Sequence, residues 1–471
     1  MNADLTLTAA AAMTRAGTLS ATELVEQSLA RIEEALQGVD AFVLVDPEGA
    51  RGVARELDAV PRELRGVLHG IPVAIKDIFD VAGHPTRRGS EAFADRAPAA
   101  HDAESVRRLR AAGAVIVGKT RTHELACGVY TPLTGNPWDL SRSAGGSSGG
   151  SGAAVAAGLV FGATGSDTGG SVRIPAALCG AVGLKPTYGR ISRVGVASLA
   201  WSLDHVGTLA RDVADAWLLY GVLAGEDTRD PATLGLPGPR DSMPRSAVRL
   251  GVPDEVFLDG LTPDVDAVWS RALQRLASDG IDIVPVKAPG LSGALAAEFA
   301  IVLAEASAYY ERVLRTRPNT IGSGVRSLLE AGLQLPALTY LRAQRARVLL
   351  QDAFRQAFQT HQLTAVLTPT LPGTAQLHDQ SHLQGSAGET IADAFVRTTG
   401  PFNLTGMPAV SVPAGLAPNG LPVGVQLAGR PYDEQALRRV AQRVEDCLGT
   451  GPRPAPSQRR PDATASRQEC T

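Results

Sequence analysis

The chain has 471 residues, of which 44% are apolar and 20% are charged, a balance typical of a globular protein with an extensive core. A formal net charge of -3 and the lack of a long basic run argue against a nucleic-acid interface and an electrostatic membrane anchor. The sequence shows neither a signal-peptide pattern nor about 18 uninterrupted apolar residues, so we expect a cytoplasmic protein with no membrane partner. The four scattered cysteines predict free thiols.

The predicted elements begin with a helix. Ser20 and Glu23 form a capping-box pattern, and the apolar residues that follow recur at helical spacing. Short apolar runs at 41–45, 71–75 and 114–118 then alternate with helix-like stretches such as 104–113. This alternation predicts an α/β fold with a mainly buried sheet and helices on its faces.

The second half continues the same organisation. Residues 226–245 are rich in Pro, Gly, Asp and Arg and predict a long loop, whereas 290–360 is dominated by helical patterns. Strand-like runs return at AVLTPT, PAVSVPAG and PVGVQLAG. We therefore expect one domain over 1–450 with an α-rich insertion around 290–360. The tail, 451–471, has almost no large apolar residue and is expected to be disordered.

Two Gly/Ser clusters flank an Ala-rich stretch between Ala144 and Arg173. A flexible linker is one interpretation, but linkers rarely alternate with helix-forming sequence and run directly into IPAALCGAVGLKP. Glycines packed around serines allow the backbone to approach a substrate and to present N–H groups to a developing oxyanion. The segment therefore indicates acyl-transfer chemistry.

Lysine is rare in this chain, since Lys76, Lys119, Lys185 and Lys287 are its only examples among 45 basic residues. Lys76 lies in the apolar run IPVAIKDIF, where burial favours the neutral amine that can act as a base. Lowering its pKa from about 10.4 to about 7 costs roughly 4–5 kcal/mol. The alternative is a structural lysine paired with a buried carboxylate such as Asp77 or Asp167.

Long ordered motifs connect these observations. The runs LHGIPVAIKDIFDVAG, GGSSGGS, GSDTGGSVRIPAALCGAVGLKPTYGRISR, NLTGMPAVSVPAG and GLPVGVQLAG resemble the recurring blocks of the amidase signature family, and the likeness extends from about residue 20 to 439. The resemblance implies a mixed central β-sheet covered by helices on both faces. It also implies an amide hydrolase that needs no metal or cofactor and acts on a small-molecule amide.

The family's catalytic triad maps onto Lys76, Ser147 and Ser171, with Ser171 as nucleophile and Ser147, preceded by a cis peptide bond, as proton relay. The backbone N–H groups of Thr168, Gly169, Gly170 and Ser171 match the family's oxyanion hole. Ser148, Asp167 and Arg173 are expected to support the site.

The sequence departs from the family pattern at two places. Ser166 stands where threonine is usual, and THELACGVYTP replaces a more familiar acidic, methionine-containing stretch. We expect neither to touch the triad, so both bear on substrate preference. Tyr130 and Trp201, by their proximity to the signature motifs, are predicted to shape the acyl pocket.

Two other motifs suggest different chemistry. GAVIVGKT at 113–120 matches the P-loop pattern, but its central residues read as a strand rather than a phosphate-binding loop, so we predict a structural Lys119. GGSSG at 145–149 matches a nucleophile elbow with Ser147 as nucleophile and Asp204 and His205 as partners. The preceding NPWDLSRSAGG reads as a loop, which disfavours the elbow.

Two functions remain after these comparisons of motifs. The favoured one is a stand-alone amidase for small acyl or aryl amides, with esters, anilides and carbamates as further substrates. The alternative is the glutaminase (A) subunit of a tRNA-dependent amidotransferase, although that subunit's Arg-Tyr-Asp-Gly stretch is replaced here by AEASAYYERVLRTRP. The sequence is compatible with a homodimer.

Overall fold

Eleven strands form one sheet in the computed structural model of this protein, which describes residues 5–35, 38–238, 248–253, 256–383 and 388–454. The strands in chain order are β1 (Phe42–Val45), β2 (Pro72–Lys76), β3 (Val115–Thr120), β4 (Gly135–Asn136), β5 (Asp139–Ser143), β6 (Gly162–Asp167), β7 (Val182–Lys185), β8 (His205–Ala210), β9 (Arg249–Pro253), β10 (Asp282–Val286), β11 (Ala365–Pro369), β12 (Ala409–Leu416) and β13 (Pro422–Ala428).

The α-helices of the described residues are α1 (Leu7–Ala16), α2 (Ala21–Ala35), α3 (Pro47–Asp58), α4 (Glu104–Ala111), α5 (Gly149–Ala156), α6 (Arg173–Cys179), α7 (Val213–Leu223), α8 (Pro263–Ser278), α9 (Ala294–Thr316), α10 (Ser323–Leu333), α11 (Ala337–Thr360), α12 (Ile391–Thr399), α13 (Pro401–Leu404) and α14 (Glu434–Leu448).

The strand order is β1-β3-β2-β6-β8-β7-β12-β13-β11-β9-β10, and β4 and β5 form a separate hairpin. Strands β3, β2 and β6 are parallel to one another, as are β11, β9 and β10, whereas the other neighbours are antiparallel. The sheet is therefore mixed, as the family resemblance predicts.

Helices cover both faces of this sheet. On β2, Val73 packs into one apolar cluster with α7 and α14, and the next residue, Ala74, packs into another with α2 and α5. Successive side chains of a strand point to opposite faces, so both faces of the strand are buried under helices. This confirms the predicted layer architecture and explains why β2 is apolar throughout.

Helices α9, α10 and α11 follow β10 and pack on one another. Leu291–Thr316, which contains α9, is long and apolar enough to cross a bilayer by length and composition alone. In the structure, side chains of this helix such as Ile301 and Tyr310 are buried against the rest of the protein, as expected of a helix that packs on a core.

Most strand and helix predictions are confirmed to within a few residues. The capping box is also formed, because Ser20 N donates to Glu23 Oε2 at 2.9 Å and Glu23 N donates to Ser20 Oγ at 3.1 Å. Cys127, Cys179 and Cys447 are free thiols, as predicted, while Cys470 and most of the predicted disordered tail lie outside the described residues.

Two segments differ from the sequence interpretation. NPWDLSRSAGG is not all loop, because Asp139–Ser143 forms β5. The run GATGSD forms the buried strand β6, which small residues did not signal. Strand propensity reflects packing against neighbours more than composition, and here β2 and β8 supply those neighbours.

Lys119 has a structural role, as predicted. Its Nζ lies 2.6 Å from Asp77 Oδ1 and donates to the carbonyl of Pro85 at 2.8 Å, and both charged side chains are buried. Residues Val115–Thr120 form β3, so the P-loop pattern falls on a strand rather than on a phosphate-binding loop. We therefore interpret the Lys119–Asp77 ion pair as a structural contact at the ends of β2 and β3 and not as part of a nucleotide site.

Replacing Lys119 with Met leaves the Asp77 carboxylate buried without its cation. We expect the free energy of unfolding in urea to fall by about 3–5 kcal/mol, because removing one partner of a buried ion pair is strongly destabilising. Lys287→Met, at an exposed lysine, is the matched control and should change it by less than about 0.5 kcal/mol. Equal effects of the two substitutions would contradict the structural role.

Candidate active site

Lys76, the last residue of β2, meets the Gly/Ser segment in the interior of the protein. Its side chain is fully buried, and Nζ donates to Ser147 Oγ at 2.7 Å and to Ser166 Oγ at 2.8 Å. No carboxylate forms an ion pair with Lys76 among the described residues, since Asp77 pairs with Lys119 and Asp167 with Arg173. The structural-lysine alternative therefore fails for Lys76.

Burial controls the protonation of this amine. Loss of solvation lowers the pKa of Lys76 to about 7, and the more distant carboxylates of Asp167 and Asp204 limit the shift. A lysine with such a pKa is partly neutral at physiological pH and can accept a proton.

Ser147 is held through its backbone. The peptide bond between Gly146 and Ser147 is cis, and the carbonyl of Ser147 accepts from His123 N at 3.1 Å and from Thr131 Oγ1 at 3.2 Å. Gly146 is required by a close approach, because a Cβ there would lie 2.6 Å from the Tyr130 carbonyl.

The two departures from the family pattern therefore do touch residues of the predicted triad, contrary to our expectation. Ser166 is a direct partner of the Lys76 amine, and the segment with His123 and Thr131 holds Ser147. Sequence spacing could not reveal this, because β6 brings Ser166 beside β2 only through strand pairing.

Ser171 lies in the turn between β6 and α6. Its carbonyl accepts from Ser148 N at 3.2 Å, and the Ser148 hydroxyl is hydrogen-bonded to the backbone of Ser166. Ser148 therefore connects the Ser171 turn to strand β6. Ser171 Oγ makes no hydrogen bond to Ser147 among the described residues. Catalytic hydrogen bonds are often long without substrate and shorten in the complex.

The turn from Thr168 to Ser171 carries the backbone N–H groups that are predicted to form the oxyanion hole, and one of the four has a partner within the protein. Gly170 N donates to Asp167 Oδ1 at 2.8 Å, so this N–H is occupied, unlike the prediction that it serves an oxyanion. The N–H groups of Thr168, Gly169 and Ser171 have no partner within the described part of the chain. Gly170 also has φ +126°, and a Cβ there would lie 2.2 Å from Thr399 Oγ1.

A buried ion pair fixes this turn. Asp167 and Arg173 are both fully buried, with Arg173 Nη2 2.8 Å from Asp167 Oδ1. Burial alone raises the pKa of Asp167, but the Arg173 guanidinium outweighs it and holds the pKa well below its usual range. The Asp167 carboxyl therefore stays ionised at neutral pH.

Two residues missed in the sequence complete this network. Arg173 Nη1 donates to Gln426 Oε1 at 2.5 Å, and Asn403 accepts from Arg173 at 2.6 Å and donates to Asp167 at 2.8 Å. Both lie in the blocks NLTGMPAVSVPAG and GLPVGVQLAG, so a signal was present. Asp167 and Arg173 thus hold the turn that carries Ser171, while their supporting role in catalysis stays a prediction.

An apolar cavity of about 110 Å³ opens at Ser171. Thr168 and Gly169 line it on one side, and side chains from α9 and α12 line it on the other, including Phe299, Val302 and Val396. The sequence did not identify this wall, because residues more than 120 positions after Ser171 supply it.

Neither predicted pocket residue lines this cavity. Trp201 borders a neighbouring cavity of about 280 Å³ that shares Ala126, Thr168 and Leu199 with it. Tyr130 is 47% exposed and packs its ring edge-on against His123, while its backbone contacts the Gly146 position.

The nucleophile-elbow alternative is not assembled. Asp204 accepts from the Thr168 and Ser198 hydroxyls at 2.7 and 2.6 Å, and His205 Nδ1 lies against the carbonyls of Leu203 and Asp167. Neither contacts Ser147. The site thus combines a buried lysine amine, two serine hydroxyls in contact with it and a glycine turn, all on a mixed α/β sheet.

Comparison with known proteins identifies the class. A family model described as Amidase matches residues 23–437. The chain is 41% identical over 449 residues to an amidase from Pseudomonas putida, a match that covers 94% of this chain and 95% of that one. It is 42% identical over 491 residues to the A subunit of a glutamyl-tRNA(Gln) amidotransferase from Anaeromyxobacter dehalogenans (strain 2CP-C), a match that covers 96% and 97%.

A solved structure agrees with these relatives. The native peptide amidase from Stenotrophomonas maltophilia superposes with a TM-score of 0.84 at 30% identity, covering 97% of this chain and 99% of that one. The chain belongs to the amidase signature family and is an amide hydrolase.

The pKa of Lys76 predicts a pH profile. Because the amine must be neutral to accept a proton, kcat/KM for a neutral amide should decline about tenfold per unit as the pH falls below about 7. The measurement is kcat/KM between about pH 5 and 9, with far-ultraviolet circular dichroism to confirm folding. A profile that is flat through this range would contradict a neutral Lys76 as the base.

Glu298→Gln is the control for this profile. Glu298 also lines the Ser171 cavity, and burial raises the pKa of its carboxyl well above the usual range. If Lys76 causes the acidic limb, the limb should persist in Glu298→Gln. Loss of the limb in this variant would assign it to Glu298.

Proposed function

We propose that this protein is a stand-alone amidase that hydrolyses carbon–nitrogen bonds of small acyl or aryl amides through Lys76, Ser147 and Ser171. The observation that carries the proposal is the buried Lys76 amine, 2.7 Å from Ser147 Oγ and with a pKa lowered to about 7. Esters, anilides and carbamates contain related carbonyls and are further substrates of the same chemistry.

The proposed reaction begins with a proton relay. Neutral Lys76 donates one N–H to Ser166 Oγ. This hydrogen bond orients the lone pair of Lys76 Nζ toward the Ser147 hydroxyl. Ser147 passes its proton to Lys76 and takes the proton of Ser171, and Ser171 Oγ bonds to the substrate carbonyl carbon. Ser166 is therefore a positioning residue in this proposal.

The tetrahedral intermediate carries its negative charge on the former carbonyl oxygen. We propose that the N–H groups of Thr168, Gly169 and Ser171 stabilise it, each contributing about 2.7–4 kcal/mol. The proton on Lys76 returns through Ser147 to the leaving nitrogen as the C–N bond breaks. Water then attacks the acyl-enzyme by the same relay and releases the acid.

The second candidate is the glutaminase component of a tRNA-dependent amidotransferase. Relatives described as A subunits of glutamyl-tRNA(Gln) amidotransferases are as similar to this chain as the amidase from Pseudomonas putida. Two observations favour the stand-alone amidase: AEASAYYERVLRTRP replaces the Arg-Tyr-Asp-Gly stretch, and the Ser171 cavity is lined mainly by apolar side chains.

The decisive test of the triad is hydrolysis by the purified full chain of acetamide, benzamide, an anilide, an aryl carbamate, an ester and glutamine. Ser171→Ala and Lys76→Met should each lower kcat/KM at least about 10³-fold on every amide that the parent hydrolyses. Ser151→Ala is the matched control, because the hydroxyl of this buried serine of the same segment bonds to Thr120 and Thr164 and to no predicted triad residue among the described residues.

The outcomes separate the candidates. Hydrolysis of non-glutamine amides that both substitutions abolish supports the amidase. Activity on glutamine alone, or only with added partner proteins, supports the amidotransferase component. Activity that survives Ser171→Ala contradicts the proposed nucleophile.

We propose that the acyl chain of the substrate occupies the Ser171 cavity. Phe299→Ala should change the ratio of kcat/KM between hexanamide and acetamide at least about fivefold, because apolar contacts to a substrate chain contribute about 1–3 kcal/mol. Tyr130→Ala and Trp201→Ala, at the positions predicted from sequence, should change it less. A larger effect of Trp201→Ala would place the acyl chain in the neighbouring cavity.

Three further proposals concern organisation. Residues 1–450 form one domain in which 290–360 is an α-rich insertion, the protein acts in the cytoplasm, and it requires no nucleic acid or membrane. The continuous pairing of eleven strands from both halves of the chain in one sheet supports the single domain.

A further inference from the structure

Glu298 on α9 is an unusual side chain in the wall of the Ser171 cavity. It is 1% exposed, and neither carboxylate oxygen has a hydrogen-bond partner among the described residues. Most buried polar groups in proteins are hydrogen-bonded, and an unpaired buried carboxyl is costly. An unpaired carboxyl in the wall of the Ser171 cavity indicates that its hydrogen-bond partner belongs to the substrate.

The position of Glu298 places this carboxyl near the proposed reacting groups. It lines the same cavity as Ser171, and a Cβ at Gly169 would lie 3.2 Å from Glu298 Oε1. The remaining cavity wall is mainly apolar, with Val129, Phe299 and Val302 among its residues. One acidic group on an apolar wall fits a ligand with an aliphatic body and one donor group.

The neighbouring charges do not satisfy Glu298. Arg347, Asp167, Arg173 and Lys185 influence its ionisation, but none bonds to it. The three cations have other partners: Arg347 donates to the Leu404 carbonyl, Lys185 to the Met407 carbonyl at 2.5 Å, and Arg173 to Asp167.

The same helix provides a contrast. Glu305, two turns further along α9 and also buried, accepts from Ser202 Oγ at 2.6 Å, Ser202 N at 2.9 Å and Tyr340 Oη at 2.9 Å. Glu305 is thus a structural carboxylate with its partners in place, whereas Glu298 lacks them.

We propose that Glu298 is a specificity-determining residue that binds an ammonium group of the substrate, so that the preferred amides carry a primary amine on a short aliphatic chain. This inference rests on the amidase function proposed above. Binding would supply the carboxylate with a charged hydrogen-bond donor and favour its ionised form. Burial raises the pKa of the Glu298 carboxyl, and a bound ammonium group would lower it again by favouring the charged form.

The test compares each ω-amino amide with the amide in which a methyl group replaces the ammonium. Two series are used: ω-amino alkanamides against alkanamides, and N-(ω-aminoalkyl)acetamides against N-alkylacetamides, with two to five methylene groups. For at least one chain length, the parent protein should prefer the amino substrate by about tenfold or more in kcat/KM. Glu298→Gln should reduce that ratio to near 1, and Glu305→Gln should preserve it.

Thermal unfolding distinguishes recognition from a structural role. Replacing an unpaired buried carboxyl with the neutral amide or with Met should leave Tm unchanged or raise it, whereas Glu305→Gln should lower it. The proposal is overturned if the parent shows no preference in either series, if Glu298→Gln retains the preference, or if Glu298→Gln and Glu298→Met both lower Tm as Glu305→Gln does.

Failure of this inference differs from failure of the proposed function. If only the Glu298 proposal is wrong, amides in the two series are still hydrolysed, and Ser171→Ala abolishes that hydrolysis. If the proposed function is wrong, no amide in either series is hydrolysed, or hydrolysis survives Ser171→Ala.

Discussion

The buried ion pair between Asp167 and Arg173 is the interaction on which the site depends. It fixes the turn that carries Ser171, and it reaches Asn403 and Gln426, so it ties the Gly/Ser segment to strands and helices far along the chain. Two charges so deeply buried are tolerated only because almost every donor and acceptor is used. These hydrogen bonds offset part of the cost of burying the pair, and they hold Gly170 and Val172 on either side of Ser171.

Burial lowers the pKa of both Lys76 and Lys119, but the two amines have different partners. Lys119 forms an ion pair with Asp77 and connects β3 to the loop that contains Pro85. Lys76 has no ion-pair partner among the described residues and contacts two serine hydroxyls. Desolvation without a neighbouring carboxylate destabilises the ammonium form, so Lys76 has its pKa lowered to about 7. The proposed base is therefore a consequence of where the carboxylates are placed. Glu298 extends the same reasoning to the cavity, since a group without a partner there is available to a ligand.

The sequence by itself determined the family, the mixed α/β architecture, most strands, and the site residues that lie within continuous sequence motifs. Apolar periodicity and long ordered motifs are local signals, so they can be recognised in the sequence alone. The same motifs brought Lys76, Ser147, Ser171, Asp167 and Arg173 to attention before any contact between them was known. Even Asn403 and Gln426 lay inside recognised blocks, although their role did not.

Only the tertiary structure decided the contacts between distant segments. Ser166 meets Lys76 because two strands pair, Gly170 loses its N–H to Asp167 because the turn folds back on itself, and α9 brings Glu298 to Ser171. The aromatic residues chosen by proximity in sequence, Tyr130 and Trp201, do not line that cavity. Cavity walls and hydrogen-bond partners depend on how elements pack across the fold, and packing is not encoded by spacing along the chain.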